Sequence, residues 1–150
     1  MKIRTATLND LDALAAVEAE CFPAAEAATK KDFENRLAYY ADHFWLMFDE
    51  NDKLIAFINS MVKEQADMTE NGAWQMIFGV NTIPSCRKKG YAGELIKAAI
   101  EDARKQGRKG LVLTCKDKLI HYYAKFGFVN EGVSQSVHGN VVWYQIRLTF

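Results

Sequence analysis

The stretch RKKGYAG, Arg87 to Gly93, places consecutive cations and two glycines where an amphipathic helical pattern begins. Cations favour the opposite end of a helix, where the macrodipole is negative, so their position calls for a reason. The first-turn N–H groups of a helix have no partner inside it, and a glycine entering that turn lets the backbone approach a ligand closely. A strand stopped by Pro84, a short loop, and Gly90-Tyr91-Ala92-Gly93 opening a helix would turn several amides toward an anion such as a pyrophosphate. Arg87, Lys88 and Lys89 would add positive charge around it. A basic loop ahead of an ordinary helix accounts for the same residues, so the stretch alone leaves both readings open. It is neither a nucleotide P-loop, which ends in Gly-Lys-Ser/Thr, nor the three-glycine dinucleotide fingerprint.

The second stretch with chemical potential is HYYAKFGF, His121 to Phe128. Tyr123 can serve there as a phenolic proton donor or simply as core. Tyr122, its helical neighbour, points about 100° away and is assigned to packing. The histidines are His43, His121 and His138. His121 falls on a different helical face from Tyr123, and each histidine reads as an ordinary, partly exposed side chain. Cys21, Cys86 and Cys115 are far apart and lack metal-ligand spacing, which predicts reduced thiols and no metal.

These groups must be positioned by a chain of 150 residues, enough for one domain, 1–150, with a real core. Nineteen basic and nineteen acidic side chains cancel, so the bulk charge suggests neither nucleic acid nor an anionic membrane as partner. The N-terminus lacks the apolar run of a signal peptide, and no segment approaches the roughly 20 apolar residues of a membrane span. A cytoplasmic protein is the expectation.

KIRTA reads as a strand. Thr7 and Asp10 can cap a helix carrying Leu11, Leu14, Val17 and Cys21. After the loop FPAAEAA a second helix is expected from Lys30 to Tyr40. FWLMF and KLIAFINSMV, separated by DENDK, form an antiparallel hairpin. Lys63–Gly72 reads as a polar, mobile connector, and AWQMIFGVNT as a strand interrupted by Gly79, which fits a bulge, the close approach of a backbone or ligand, or simple tolerance of a glycine. The helix after Gly90 buries Leu95, Ile96, Ala99 and Ala103 and ends at Gly107. GLVLTC has the continuous apolar character of a strand covered on both faces. A short helix closed by Gly127 and a final alternating strand, GNVVWYQIRLTF, complete a mixed α and β order.

Arg87-Lys88-Lys89-Gly90-Tyr91-Ala92 fits the pattern Arg/Gln-x-x-Gly-x-Gly/Ala of the GNAT acetyltransferases, and YYAKFGF is similar to that family's second signature. The sequence therefore resembles the GNAT family over nearly its whole length. CFPAAEAA and LTCKDKLIHYYAKFGF are similar to its arylalkylamine (serotonin) N-acetyltransferase branch.

The resemblance implies an α+β fold whose mostly antiparallel central sheet, flanked by helices, splays between its fourth and fifth strands to hold acetyl-CoA. It implies that the backbone of Val80, Asn81 and Thr82 pairs with pantetheine, that Arg87, Lys88, Lys89, Gly90, Tyr91, Ala92 and Gly93 form the pyrophosphate loop, and that Tyr123 protonates the departing thiolate. An amide near Val80 would polarise the acetyl oxygen. The branch's two strand histidines are replaced by Met76 and Phe78, which leaves Glu26 in the acceptor loop as the candidate base, a solvated glutamate being the plainer alternative. Phe22, Pro23, Trp45 and Trp74 could wall an aromatic amine pocket.

The expected reaction is direct acetyl transfer from acetyl-CoA to a small primary amine. A peptide or protein amine as acceptor and a non-catalytic acyl-CoA-binding module are the alternatives. Strand residues in VVWYQI leave pairing with a second copy open.

Overall fold

The computed structural model describes residues 1–62, 74–135 and 138–150. The connector expected at Lys63–Gly72 and the side chain of His138 lie outside what is described.

Seven strands form one sheet in the order β1-β2-β3-β4-β5-β7-β6. They are β1 (Lys2–Thr5), β2 (Phe44–Phe48), β3 (Leu54–Val62), β4 (Trp74–Thr82), β5 (Gly110–Cys115), β6 (Val129–Val133) and β7 (Tyr144–Thr149). Every neighbouring pair is antiparallel except β4 with β5. The helices are α1 (Leu11–Cys21), α2 (Lys30–Tyr40), α3 (Tyr91–Lys105) and the short α4 (Ile120–Ala124).

Leu54 through Ser60 of β3 are all buried. Successive strand side chains point to opposite faces, so both faces of the sheet's middle are covered. The cover comes from α3 and from the α1–α2 pair, all of which contact β3. Leu95, Ile96, Ala99 and Ala103 form the buried stripe of α3, as the 3.6-residue spacing requires. Phe33 and Leu37 do the same for α2. There Thr29 and Asp32 form a reciprocal capping box: the Asp32 amide donates to Thr29 Oγ1 at 3.1 Å and the Thr29 amide to Asp32 Oδ2 at 2.9 Å. Asp10 closes the corresponding box with Thr7 around a 3₁₀ turn, and its carboxylate receives both Nη groups of Arg4 at 2.8 Å. The Arg4 hydrogen bonds hold the Asp10 carboxyl below the usual range.

Two expectations about the C-terminal part are corrected. Val129–Val133 is a strand, β6, that the reading omitted. It is an edge strand bearing Glu131 and Gly132, its bulge lies between Asn130 and Val133, and Val129 and Val133 are each 66% exposed. An edge with little burial carries no clear alternation. The final strand begins at Tyr144, because Gly139 and Asn140 take positive φ in a turn. Since β7 lies between β5 and β6, both edges of Tyr144–Ile146 are filled within the chain.

Candidate active site

The sheet opens where β4 and β5 part. They pair from Trp74↔Gly110 to Ile77↔Leu113 and no further, although β4 continues to Thr82. At that point β4 bulges against β3. Ile77 pairs with Ser60 and Gly79 with Asn59, which leaves Phe78 as the extra residue. Gly79 sits beside it, and a Cβ there would lie 3.2 Å from Asn59 Nδ2 and 3.3 Å from Asn81 Oδ1.

Beyond the bulge the backbone alternates. The Ile83 amide donates to Ile55 O at 2.9 Å, so Ile83 and Asn81 turn their backbone groups toward β3 while Val80 and Thr82 turn theirs into the opening. The Thr82 carbonyl is already engaged, accepting from Arg87 Nε at 2.9 Å and from Cys21 Sγ at 3.2 Å. Arg87 thus lies against the end of β4 and fastens the loop to the strand.

The loop leads directly into α3. Gly90, at φ 82°, is the N-cap, and Lys88 also has positive φ. Among the described residues the first amide to bond is that of Glu94, to Gly90 O at 3.1 Å, and none of the amides of residues 88–93 donates to a backbone carbonyl. The free first-turn donors are what an anion-binding helix start requires. Gly93 is packed closely: a Cβ there would be 3.5 Å from Phe126 Cζ and 3.8 Å from Tyr122 Oη. The start of α3 therefore lies next to the segment that carries Tyr122 and Phe126.

Tyr123 is buried at the other side of the opening. Its ring meets Tyr122 edge-on at 5.2 Å and Phe128 at 5.9 Å. Burial, with the neighbouring Cys115 and Tyr122, raises the phenol pKa, so the hydroxyl keeps its proton at neutral pH. Burial also pushes the Cys115 thiol up to about 11, which makes it a poor nucleophile.

Tyr123, Cys115, Gly79 and Val80 wall a cavity of about 320 Å³ that extends under α1 and α2. Glu18, Glu26, Asp32 and Arg36 supply its charged lining, with Phe22, Met76, Phe78 and Trp143 among its apolar walls. Met76 and Phe78, at the strand positions where the branch places histidines, both face this space. Glu26 has a side chain only 8% exposed, and its Oε1 lies 2.8 Å from Lys116 Nζ, so it is not a solvated loop residue. Trp45, Trp74 and Pro23 do not line the cavity. Trp74 instead stacks under Arg147 at 4.5 Å, and Trp45 packs against the core from β2.

Glu18 was not anticipated. Its Oε2 accepts the Ala28 amide at 2.8 Å and its Oε1 the Asn81 Nδ2 group at 2.7 Å, joining α1, the acceptor loop and β4. The available signal was a charged residue four positions after Leu14 on the buried face of α1. In Glu18→Gln the amide must turn NH₂ toward one of these two donors. A loss of about 2 kcal/mol is expected, read as a lower thermal midpoint with coenzyme absent; an unchanged midpoint would show the network to be slack.

The parted β4 and β5, the open amides at the α3 start and the buried phenol are features that an acyl-group transferase site requires. The chain belongs to the acetyltransferase (GNAT) family, whose sequence profile matches residues 11–128, and it is an N-acetyltransferase. It is similar to glucosamine 6-phosphate N-acetyltransferase 1 of Oryza sativa subsp. japonica, 26% identical over 117 residues that cover 77% of this chain and 71% of that protein. In structure it resembles the GphF GNAT-like decarboxylase in complex with isobutyryl-CoA, with TM-score 0.85, 19% identity and 99% of both chains covered. It also resembles the ribosomal-protein-S18-alanine N-acetyltransferase from Escherichia coli, with TM-score 0.79 and 18% identity over 99% of this chain and 92% of that one. These structural likenesses establish the fold. Among the described residues no helix is long and apolar enough to cross a membrane, and no group of three or more His, Cys, Asp or Glu could hold a metal.

Proposed function

We propose that this protein transfers the acetyl group of acetyl-CoA directly to the primary amine of a small molecule. The observation that carries the reading is one cavity, about 320 Å³, joining the open end of β4 and Tyr123 to buried carboxylates. That volume is at the lower end of small-molecule sites, roughly 300–1,000 Å³.

Acetyl-CoA supplies the activated acyl group as a thioester. The free amides of residues 88–93 hold its pyrophosphate, and the outward backbone of Val80 pairs with the pantetheine and donates to the thioester oxygen, where negative charge develops during attack. Tyr123 gives its proton to the departing sulfur. The acceptor enters from the side of α1 and α2. An alkylamine is mostly protonated at neutral pH, and Glu26, directly or through water, takes its proton before attack.

Met76 and Phe78 remove the histidine relay of the arylalkylamine branch, so the likeness to that branch supports a small amine and not an indole-ethylamine in particular. The rice relative's name specifies an amino-sugar phosphate, which also supports a small acceptor. The test is release of coenzyme A from acetyl-CoA with panels of arylalkylamines, polyamines, amino acids and short peptides, followed by mass spectrometry. Turnover with a small amine is expected; turnover confined to peptides would replace the reading.

A further inference from the structure

Arg36 is the one cationic side chain among the described residues lining the cavity, and its surroundings are unusual for an arginine. It is half-buried on α2, and its guanidinium lies flat over Phe78, 4.1 Å from the ring centroid, with Phe33 on another side at 5.6 Å. Nη1 donates to Asn59 Oδ1 at 2.9 Å, which fixes the plane of the group. A guanidinium has five N–H donors, and this is the only hydrogen bond it makes among the described residues.

No carboxylate among the described residues comes within 4.0 Å of it. Asp32, four residues earlier and in the usual helical pairing position, is turned into the Thr29 capping box. Glu18 is bound to Ala28 and Asn81, and Glu26 is beside Lys116. Burial lowers the Arg36 pKa, and the more distant Asp32 and Glu18 only partly offset this. A desolvated cation with open donors and no ion partner is costly to maintain, and an oxyanion entering the cavity would relieve that cost through a paired, charge-assisted contact.

We propose that Arg36 sets acceptor specificity by binding a carboxylate or phosphate on the amine substrate. The acceptor is then both a cation and an anion, its ammonium on the carboxylate side of the cavity and its acid on Arg36. The inference rests on the small-amine reading above.

The experiment compares matched acceptors that differ by the acid alone: β-alanine with propylamine for a carboxylate, and phosphoethanolamine with ethanolamine for a phosphate. In the native protein kcat/KM should favour at least one acid over its neutral partner by on the order of 100-fold, and the pair showing it identifies the anion. In Arg36→Gln, chosen to retain a donor for Asn59, that ratio should fall to near one through KM, while acetyl-CoA affinity by calorimetry is retained as the check on folding. If Arg36→Gln does not fold, the native ratio and Arg36→Lys, expected to keep part of the preference, still decide. Turnover of neutral amines as good as that of the acids overturns the inference and leaves the small-amine reading standing. No turnover of any of these amines, with acetyl-CoA bound, overturns both.

Discussion

Replacing Tyr123 by Phe is expected to lower kcat about 100-fold while acetyl-CoA affinity changes less than about threefold. General-acid contributions run from roughly 10² to 10⁴. The lower end applies because a thiol near its ordinary pKa of about 8.5 can leave partly as thiolate without help. The substitution removes one oxygen and retains the ring, so the edge-on contacts with Tyr122 and Phe128 persist and the thermal midpoint should hold.

The pH dependence follows from the sign of the shift. Burial raises the Tyr123 pKa, so the proton-bearing form persists to higher pH than for an exposed tyrosine. Native kcat should therefore show no fall from this group between pH 8 and 10. Equal kcat for mutant and native protein at pH 7 would remove Tyr123 from the acid role.

The second large effect is at the coenzyme loop. Gly90→Glu should reduce acetyl-CoA affinity by more than about 100-fold. Nothing lies within 4 Å of a Cβ built at Gly90, so steric conflict is not the cause. Two effects remain: a φ of 82°, which costs an ordinary L-residue about 1–2 kcal/mol, and a carboxylate set among amides meant for pyrophosphate. Gly90→Asn separates them, because asparagine tolerates the left-handed conformation and carries no charge; only a few-fold loss is expected. Unchanged binding of Gly90→Glu by calorimetry would show that the phosphates lie elsewhere.

The geometry of the α3 start was legible in the sequence because its determinants are local. A left-handed glycine, unpaired first-turn amides and an apolar stripe at 3.6-residue spacing are properties of one contiguous segment, and Arg87–Gly93 followed by Leu95, Ile96, Ala99 and Ala103 displays all three. Tyr123 was legible for a related reason: a short helix closed by Gly127 assigns Tyr122 and Tyr123 to different faces. The hairpin, the β4 strand and the two long helices followed from periodicity and capping in the same way, whereas the bulge beside Gly79 appears only in the strand register.

The lining of the cavity depends on contacts between distant segments. Glu18 meets Asn81 across 63 positions and Arg36 meets Asn59 across 23; in the sequence each is a charged residue interrupting an apolar helix face. The aromatic wall shows the same limit. Trp45 and Trp74 have the composition of a pocket but lie on strand positions turned elsewhere, while Trp143, from the turn before β7, reaches the cavity. Glu26, the expected base, lines the cavity, yet its ion pair with Lys116 exists only because the β5–α4 connection folds over the loop after α1. Periodicity tells a side chain whether to face inward. Which inward-facing groups meet, and which cation among the described residues is left without an ion-pair partner, is set by how the helices settle on the sheet.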